Sequence, residues 1–277
     1  MSYNNETAMV ENKNFTLPAM LEGDFNSEDL TDDFEGLQLS FQRIKIPGGG
    51  TLQFEIPGDD PENPDYAKTI EGVIVFNHSA CAYWPEGSEY DDSVPPLCSS
   101  VDGKNGYGEP GGACAVCELN RYGTDGKGKA CKNMRHLYIL RDGEYMPILL
   151  SLPPTSLRPF NDFMNASFVT RRRPAYASVV QIGLKRVDNG SNTYSVATFK
   201  KLFDFTGEQL ANVKRYAEDF RAQIKEMLQQ RAVDTINRAE PDAVYDDGAG
   251  YRTSEDGEHF VISSNDIIDG DRDDLPL

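Results

Sequence analysis

Residues 98–131 read CSSVDGKNGYGEPGGACAVCELNRYGTDGKGKAC, and four of the chain's five cysteines lie in them. The spacing is Cys98-x15-Cys114-x2-Cys117-x13-Cys131, with eight glycines between the first and last sulfur. A segment this rich in glycine has too few apolar side chains to build its own core. Four thiolates around one ion would hold it. A Cys-x2-Cys pair offers two sulfurs from one tight turn, and Cys98 and Cys131 complete a tetrahedral zinc set. Disulfides and an iron–sulfur cluster are the two other arrangements that four cysteines allow. A site filled by four sulfurs keeps no open position for a substrate, so the expected role is structural.

The last part of this segment turns basic, with Arg121, Lys127, Lys129, Lys132 and Arg135, and Tyr107 and Tyr122 sit among its glycines. Cations interleaved with aromatics on a flexible backbone suit a surface that pairs with phosphates and stacks on bases. Tyr122, flanked by Arg121 and Gly123, is expected to face a ligand, and Tyr107 to cover the metal site. The chain's net charge of −18 hides an uneven distribution. Residues 1–36 carry 9 acids and 1 base, and residues 232–277 carry 13 acids and 3 bases. Residues 121–201 carry 14 bases and 5 acids, a net +9, which is either a footprint for a polyanion or an ordinary solvated face.

Upstream, residues 37–46 (LQLSFQRIKI) and 51–56 (TLQFEI) alternate apolar and polar, which predicts two half-buried strands. The intervening PGGG predicts a hairpin. Residues 1–36 predict an acidic arm in which Phe15 and Leu17 form an apolar knot able to dock. Residues 70–84 (IEGVIVFNHSACAYW) predict a long, bent strand ending in Trp84, the only tryptophan. Trp84 either stacks on bases at the strand end or plugs the core.

Downstream, residues 136–140 and 145–152 predict a hairpin turned at Asp142-Gly143. Thr155 or Ser156 is placed to cap a helix with an apolar stripe at Leu157, Phe160, Phe163, Met164 and Phe168. Arg171, Arg172 and Arg173 before Pro174 read as a phosphate-contacting loop. Residues 178–187 and 194–202 predict a second hairpin, with Lys185 and Lys200 near its ends. Leu210, Val213, Ala217, Phe220, Ile224 and Leu228 recur at helical spacing, so an amphipathic helix is expected over residues 206–231. The acidic tail that follows ends Asp273-Asp274-Leu275-Pro276-Leu277. An apolar tip on an acidic tether suits docking into a partner's pocket beside a basic patch.

That tip resembles the C-terminus of bacterial single-stranded DNA-binding proteins, in which acids precede an Ile-Pro-Phe-type tripeptide. Here leucine replaces both the isoleucine and the phenylalanine. The resemblance implies recruitment of replication and recombination proteins. The layout as a whole is similar to the T-even type of phage helix-destabilising proteins, which have an N-terminal arm, an OB-like barrel with a zinc-bearing insertion and an acidic C-terminal region. That family uses three cysteines and a histidine on zinc. This chain offers four cysteines, with His78 as an outside candidate, and it lacks the family's basic N-terminal motif. The stretch GKGKACKNMRHLYIL also looks like proteins of phages and integrative elements, which implies a bacterial host cytoplasm.

The expected fold is therefore mainly β with α: an OB-like β-barrel over residues 37–205, a zinc-binding insertion at 98–131 and a C-terminal helix. The expected function is single-stranded DNA binding, with no catalysis. The alternative is a protein-interaction module whose acidic ends mimic DNA toward a basic host protein. The three histidines, His78, His136 and His259, form no base-and-nucleophile or HExxH pattern, and GYGEPGG lacks the GK[ST] of a phosphate loop. No apolar run approaches membrane-spanning length, and no basic-then-apolar leader opens the chain.

Overall fold

The computed structural model describes residues 15–17, 38–58, 60, 63–84, 96–126, 128–190, 192–238 and 261–263. In chain order they form β1 (Gln38–Ser40), β2 (Arg43–Lys45), β3 (Phe54–Ile56), β4 (Asp65–Ala67), β5 (Thr69–Tyr83), β6 (Cys98–Ser100), β7 (Asn105–Gly108), β8 (Gly112–Ala113), β9 (Lys132–Leu140), β10 (Ile148–Leu152), helix α1 (Pro154–Ser167), β11 (Ser178–Asp188), β12 (Thr193–Asp204), helix α2 (Gly207–Arg238) and β13 (Val261–Ser263). Among the described residues no helix is long and apolar enough to cross a membrane.

β5 organises the main sheet. β9 runs antiparallel along one edge, from Val73↔Leu140 to Ala82↔Lys132. The other edge is shared: β11 pairs with its first third and β6 with its last residues. β10 and then β2 extend the sheet beyond β9, and β12 extends it beyond β11. A register shift between Ile74 and Phe76 bends β5, as bulges do. The described residues are thus mainly β with two α-helices, and their strands form an open sheet, not a closed ring. β2 and β12 end it. Between them Ser195 Oγ donates to the Thr51 carbonyl at 2.6 Å, and Ala197 N–H donates to Ser156 Oγ of α1 at 3.0 Å.

Period-two alternation along the strands builds two cores. In β9, Leu137 and Ile139 face α1 with Ile44, Ile70, Ile74, Leu150, Phe160 and Phe168. Tyr138 and Leu140 face α2, where Val213, Ala217, Phe220, Ile224 and Leu228 supply the helical stripe expected from sequence. Each such fully buried side chain contributes about 1.5–3 kcal/mol. Phe15 and Leu17 complete the second core. Thr16 between them donates its N–H to Asp142 Oδ1 at 2.6 Å and accepts from Gly143 N–H at 3.1 Å. The apolar knot of the N-terminal arm therefore docks on the β9–β10 turn.

Several local expectations change. The strand expected at 37–46 breaks at Phe41, which turns into the α2 core against Tyr138 and Phe220. The hairpin expected around PGGG does not form. β2 pairs in parallel with β10, and β3 pairs with β4. The glycine loop packs elsewhere: a Cβ on Gly50 would stand 2.6 Å from Arg186 Nε and 2.7 Å from Thr193 Cγ2. Neither Thr155 nor Ser156 caps α1. Pro153 holds that position without a side-chain bond, and the Ser156 hydroxyl serves β12 instead. The Asp142-Gly143 turn lies inside a longer connection that spans residues 141–147. Helix α2 continues seven residues past 231, to Arg238. Part of the acidic tail also returns, because β13 pairs antiparallel with β1, Leu39 opposite Ile262.

Candidate functional site

The cysteine segment hangs on the far end of β5. β6 pairs Cys98 with Tyr83, β7 pairs with β6, and β8 with β7. Asp102 Oδ1 accepts the N–H groups of Lys104 and Asn105 and the Ser100 hydroxyl, which sets the β6–β7 turn. Beyond Cys117 a short 3-10 turn over Glu118–Asn120 ends where Asn120 Nδ2 donates back to the Cys114 carbonyl at 2.8 Å. Cys131 N–H donates to the Leu119 carbonyl, and β9 begins one residue later. The glycines permit close approach: a Cβ on Gly106 would stand 2.9 Å from Cys98 Sγ, and one on Gly108 would stand 2.0 Å from the Leu97 carbonyl oxygen.

These turns bring the four predicted cysteines to one small cavity of about 10 Å³. That is room for a single water-sized object. Cys98, Cys114 and Cys131 are buried and Cys117 is half-buried. A fifth thiol, Cys81 of β5, lines the same cavity. Cys81 lies outside the spaced cysteine set and reads in sequence as one more apolar residue of a buried strand. Its only sequence signal is a small, thiol-bearing position in the strand that leads into the cysteine segment. Among the described residues no group of three or more Cys, His, Asp or Glu side chains stands close enough together to hold a metal ion. All five thiols line the cavity. His78 stands apart from the cavity, stacked beside Phe76 with its Nε2 3.3 Å from the Tyr138 hydroxyl.

The electrostatics of the cavity suit a cation. Burial pushes the Cys98 and Cys114 thiols up, and repulsion from neighbouring sulfurs adds to it. The hydrogen bond from Cys81 draws the Cys131 thiol down, helped by Lys129 and Lys132, while Cys81 itself is pushed far up as the partner that keeps its proton. Buried sulfurs that repel one another when ionised are stabilised together by a positive ion. The Tyr107 hydroxyl is buried with no hydrogen-bond partner, and burial first, then Asp102 and Cys114, pushes it up. A hydroxyl so placed fits donation to a thiolate.

The candidate nucleic-acid residues fall into separate groups. On the cysteine segment, Tyr122 is 81% exposed and Lys129 Nζ lies 5.0 Å from the centre of its ring. Arg121 is exposed and pairs with exposed Glu118, a contact worth little. Lys132 is committed to the segment itself, through Asp125 at 2.6 Å and the Lys129 carbonyl. Arg135 is half-buried, donates to Asn77 Oδ1 at 2.6 Å and lies over the Phe160 ring. Trp84 is half-buried at the end of β5. Lys127 lies outside the described residues, as do Asp273, Asp274, Leu275, Pro276 and Leu277.

The second group lies toward the other end of β5. Arg171 and Arg172 are exposed, and Arg172 adopts a left-handed backbone with φ 49°. Arg173 is internal: Nη2 donates to the Ala177 and Phe205 carbonyls at 2.7 Å each, and Nε lies 3.3 Å from Asp204. Lys185 and Lys200 are exposed on the β11–β12 ribbon, Lys200 opposite Gln181. β11 meets β5 at residues 69–73, and the cysteine segment meets it at 81–83. Along β5, at about 3.3 Å per residue, these attachment points lie roughly 25–45 Å apart, with the Arg171–Arg173 turn at the nearer end of β11 beside Ala177 and Phe205. The structure brings the thiols together and leaves the cations as two patches.

No protein-family model, no curated protein sequence and no solved structure matches the chain.

Proposed function

We propose that the chain binds single-stranded DNA without chemistry, through the cysteine-stapled segment and the β11–β12 ribbon. The observation that carries this reading is Tyr122. An aromatic ring left 81% exposed, with Lys129 across it and Arg121 beside it, has no use in the core of its own chain. A ring and cations on one turn form a platform for a base and its phosphate. The length of β5 between the two attachment points, roughly 25–45 Å, is one that several extended nucleotides cover, within the range of sites seen on single OB folds.

The OB-like reading of the sheet belongs to this proposal. It is supported by the order of six strands, β12-β11-β5-β9-β10-β2, with α1 packed over them, and by the Ser195–Thr51 bond that ties β12 to the loop after β2. The structural zinc belongs to it as well. Cys98, Cys114, Cys117 and Cys131 would hold the ion and keep the turn bearing Tyr122 in shape. Support comes from the one small cavity that all four line. The acidic tail would dock partner proteins by its tip. The tail would also compete with DNA for the basic groups, and the β1–β13 pair supports a tail that folds back onto an early strand of the chain.

The test is a titration of the full chain with oligo-dT, followed by the fluorescence of Trp84. Saturable quenching at low salt is expected. Neither a quench nor a mobility shift at low salt would overturn the proposal and favour the DNA-mimic alternative.

A further inference from the structure

Alternation along three strands carries one ring and two cations to the same side of the sheet, near the start of β5. Ala67 of β4, Leu184 of β11 and Phe199 of β12 pack against the α1 core. Their chain neighbours Tyr66, Lys185 and Lys200 therefore face away from it. All three are exposed, Tyr66 by 64%. Between them the surface is low. Gly183 pairs with Thr69 of β5 on one edge and with Thr198 of β12 on the other. A Cβ on Gly183 would stand 3.1 Å from Thr198 Oγ1 and 3.6 Å from Thr69 Cγ2, so this rung has no side chain at its centre. Lys200, opposite Gln181, flanks the rung on one side, and Lys185, opposite Val196, flanks it on the other. Tyr66 precedes Thr69 by three residues, about 10 Å of extended chain. Two carboxylates border the surface: Glu71 accepts from Gln181 Nε2 at 2.8 Å, and Glu55 stands opposite Tyr66.

We propose that this surface is a second base-stacking subsite, in which Tyr66 takes an unpaired base beside the Thr69–Gly183–Thr198 floor and Lys185 and Lys200 take the flanking phosphates. The inference rests on the DNA reading given above and adds a ring to the ribbon patch, to which that reading gave cations alone. An exposed ring beside two lysines combines stacking for the base with charge for the backbone, as single-strand surfaces do. The small floor lets a flat base lie close to the sheet, where a side chain on residue 183 would hold it off. Glu55 and Glu71 keep the phosphates to the two lysines. Tyr66 ends the acidic stretch at residues 59–66, so charge patterning does not mark it.

The test uses the full chain, its Tyr66→Ala, Tyr66→Phe and Lys185→Ala variants, and the Tyr66→Ala/Lys185→Ala pair. Binding is read from the anisotropy of a labelled oligo-dT of about 16 nucleotides at low salt, the upper end of sites on single OB folds. Tyr66→Ala should melt within about 2 °C of wild type and bind about five- to thirtyfold more weakly. Tyr66→Phe, which keeps the ring, should bind within about twofold of wild type. Lys185→Ala should lose about two- to fivefold. The double variant should lose less than the product of the two single losses, because ring and lysine act on one nucleotide. Wild-type affinity in Tyr66→Ala would overturn the subsite. So would a Tyr66→Phe variant as weak as Tyr66→Ala, or a double variant whose loss equals the product of the single losses. A wild-type chain that binds no oligonucleotide at low salt would remove the DNA reading itself, a failure visible before any variant is compared.

Discussion

Tyr122→Ala isolates the stacking claim from the fold. The side chain is 81% exposed, with Lys129 5.0 Å from the ring centre, so truncation removes almost no buried surface. Folding stability should change by less than about 0.5 kcal/mol, as for surface positions in general. Stacking one base on an aromatic ring is worth about 1–3 kcal/mol. Lys129 must leave one face of the ring or share it, which gives back about 0.5–1 kcal/mol of cation–π attraction. The net loss is about 1–2 kcal/mol, or roughly five- to thirtyfold in the dissociation constant. Anisotropy of a labelled oligo-dT at low salt measures it, with a circular dichroism melt as the control for folding. Tyr122→Phe keeps the ring and should bind within about twofold of wild type. An alanine variant that melts like wild type and binds equally well would refute the stacking argument.

Arg172 and Arg173 are neighbours with opposite roles. Arg173→Ala leaves the Ala177 and Phe205 carbonyls without their donor and should cost about 2–4 kcal/mol, seen as a melting point lower by about 5–15 °C. Arg172→Ala should leave the melt within about 2 °C and weaken oligo-dT binding by about two- to fivefold at low salt. Truncation after Arg238 removes β13 and the acidic tail, and should tighten oligo-dT binding, most at low salt. Equal affinity with and without the tail would remove the autoinhibition. Burial works to raise the Asp204 carboxyl, but the Lys201 and Ser178 hydrogen bonds and the Arg173 charge outweigh it and hold it below its ordinary value. The stability it gives is present above the ordinary carboxylate range, about pH 4, and is lost as pH falls through the depressed folded value. Asp204→Asn should therefore be less stable than wild type at pH 7 and show a shallower loss on acidification below about pH 4 in urea melts.

The elements with a strong local period were legible in the sequence. The long strand at 70–84, the 178–204 hairpin and the stripe from Leu210 to Leu228 each carry their own pattern, and each forms. What failed was pairing between distant segments. Residues 37–46 and 51–56 alternate properly and are joined by glycines, yet β2 finds its partner in β10, about a hundred residues later, in parallel. Local alternation says that a strand is half-buried and is silent about the neighbour it takes. Phe41 shows the same limit: it reads as one more apolar position of a strand, and only the α2 core explains the break there.

At the site, the spaced cysteines were legible because Cys-x2-Cys has a mechanical reason. Cys81 was not, since a thiol inside an apolar strand looks like any small buried residue. The cations were the least legible. Charge alone counts Arg173, Lys132 and Arg135 with Arg172 and Lys185, although the first three hold the chain to itself. The distinction lies in which carbonyls, carboxylates and rings stand nearby, and those come from segments far away in the sequence.

The most direct test of the account is the salt dependence of oligo-dT binding to the full chain. Of the cations expected to contact the strand, Arg121, Lys129, Arg171, Arg172, Lys185 and Lys200 are described and lie at least partly open to solvent. If about three to five of them do so, the logarithm of the binding constant should fall against the logarithm of salt concentration with a slope of about −2 to −4. A chain that binds no oligonucleotide at about 20 mM salt, or whose binding shows no salt slope, would contradict it.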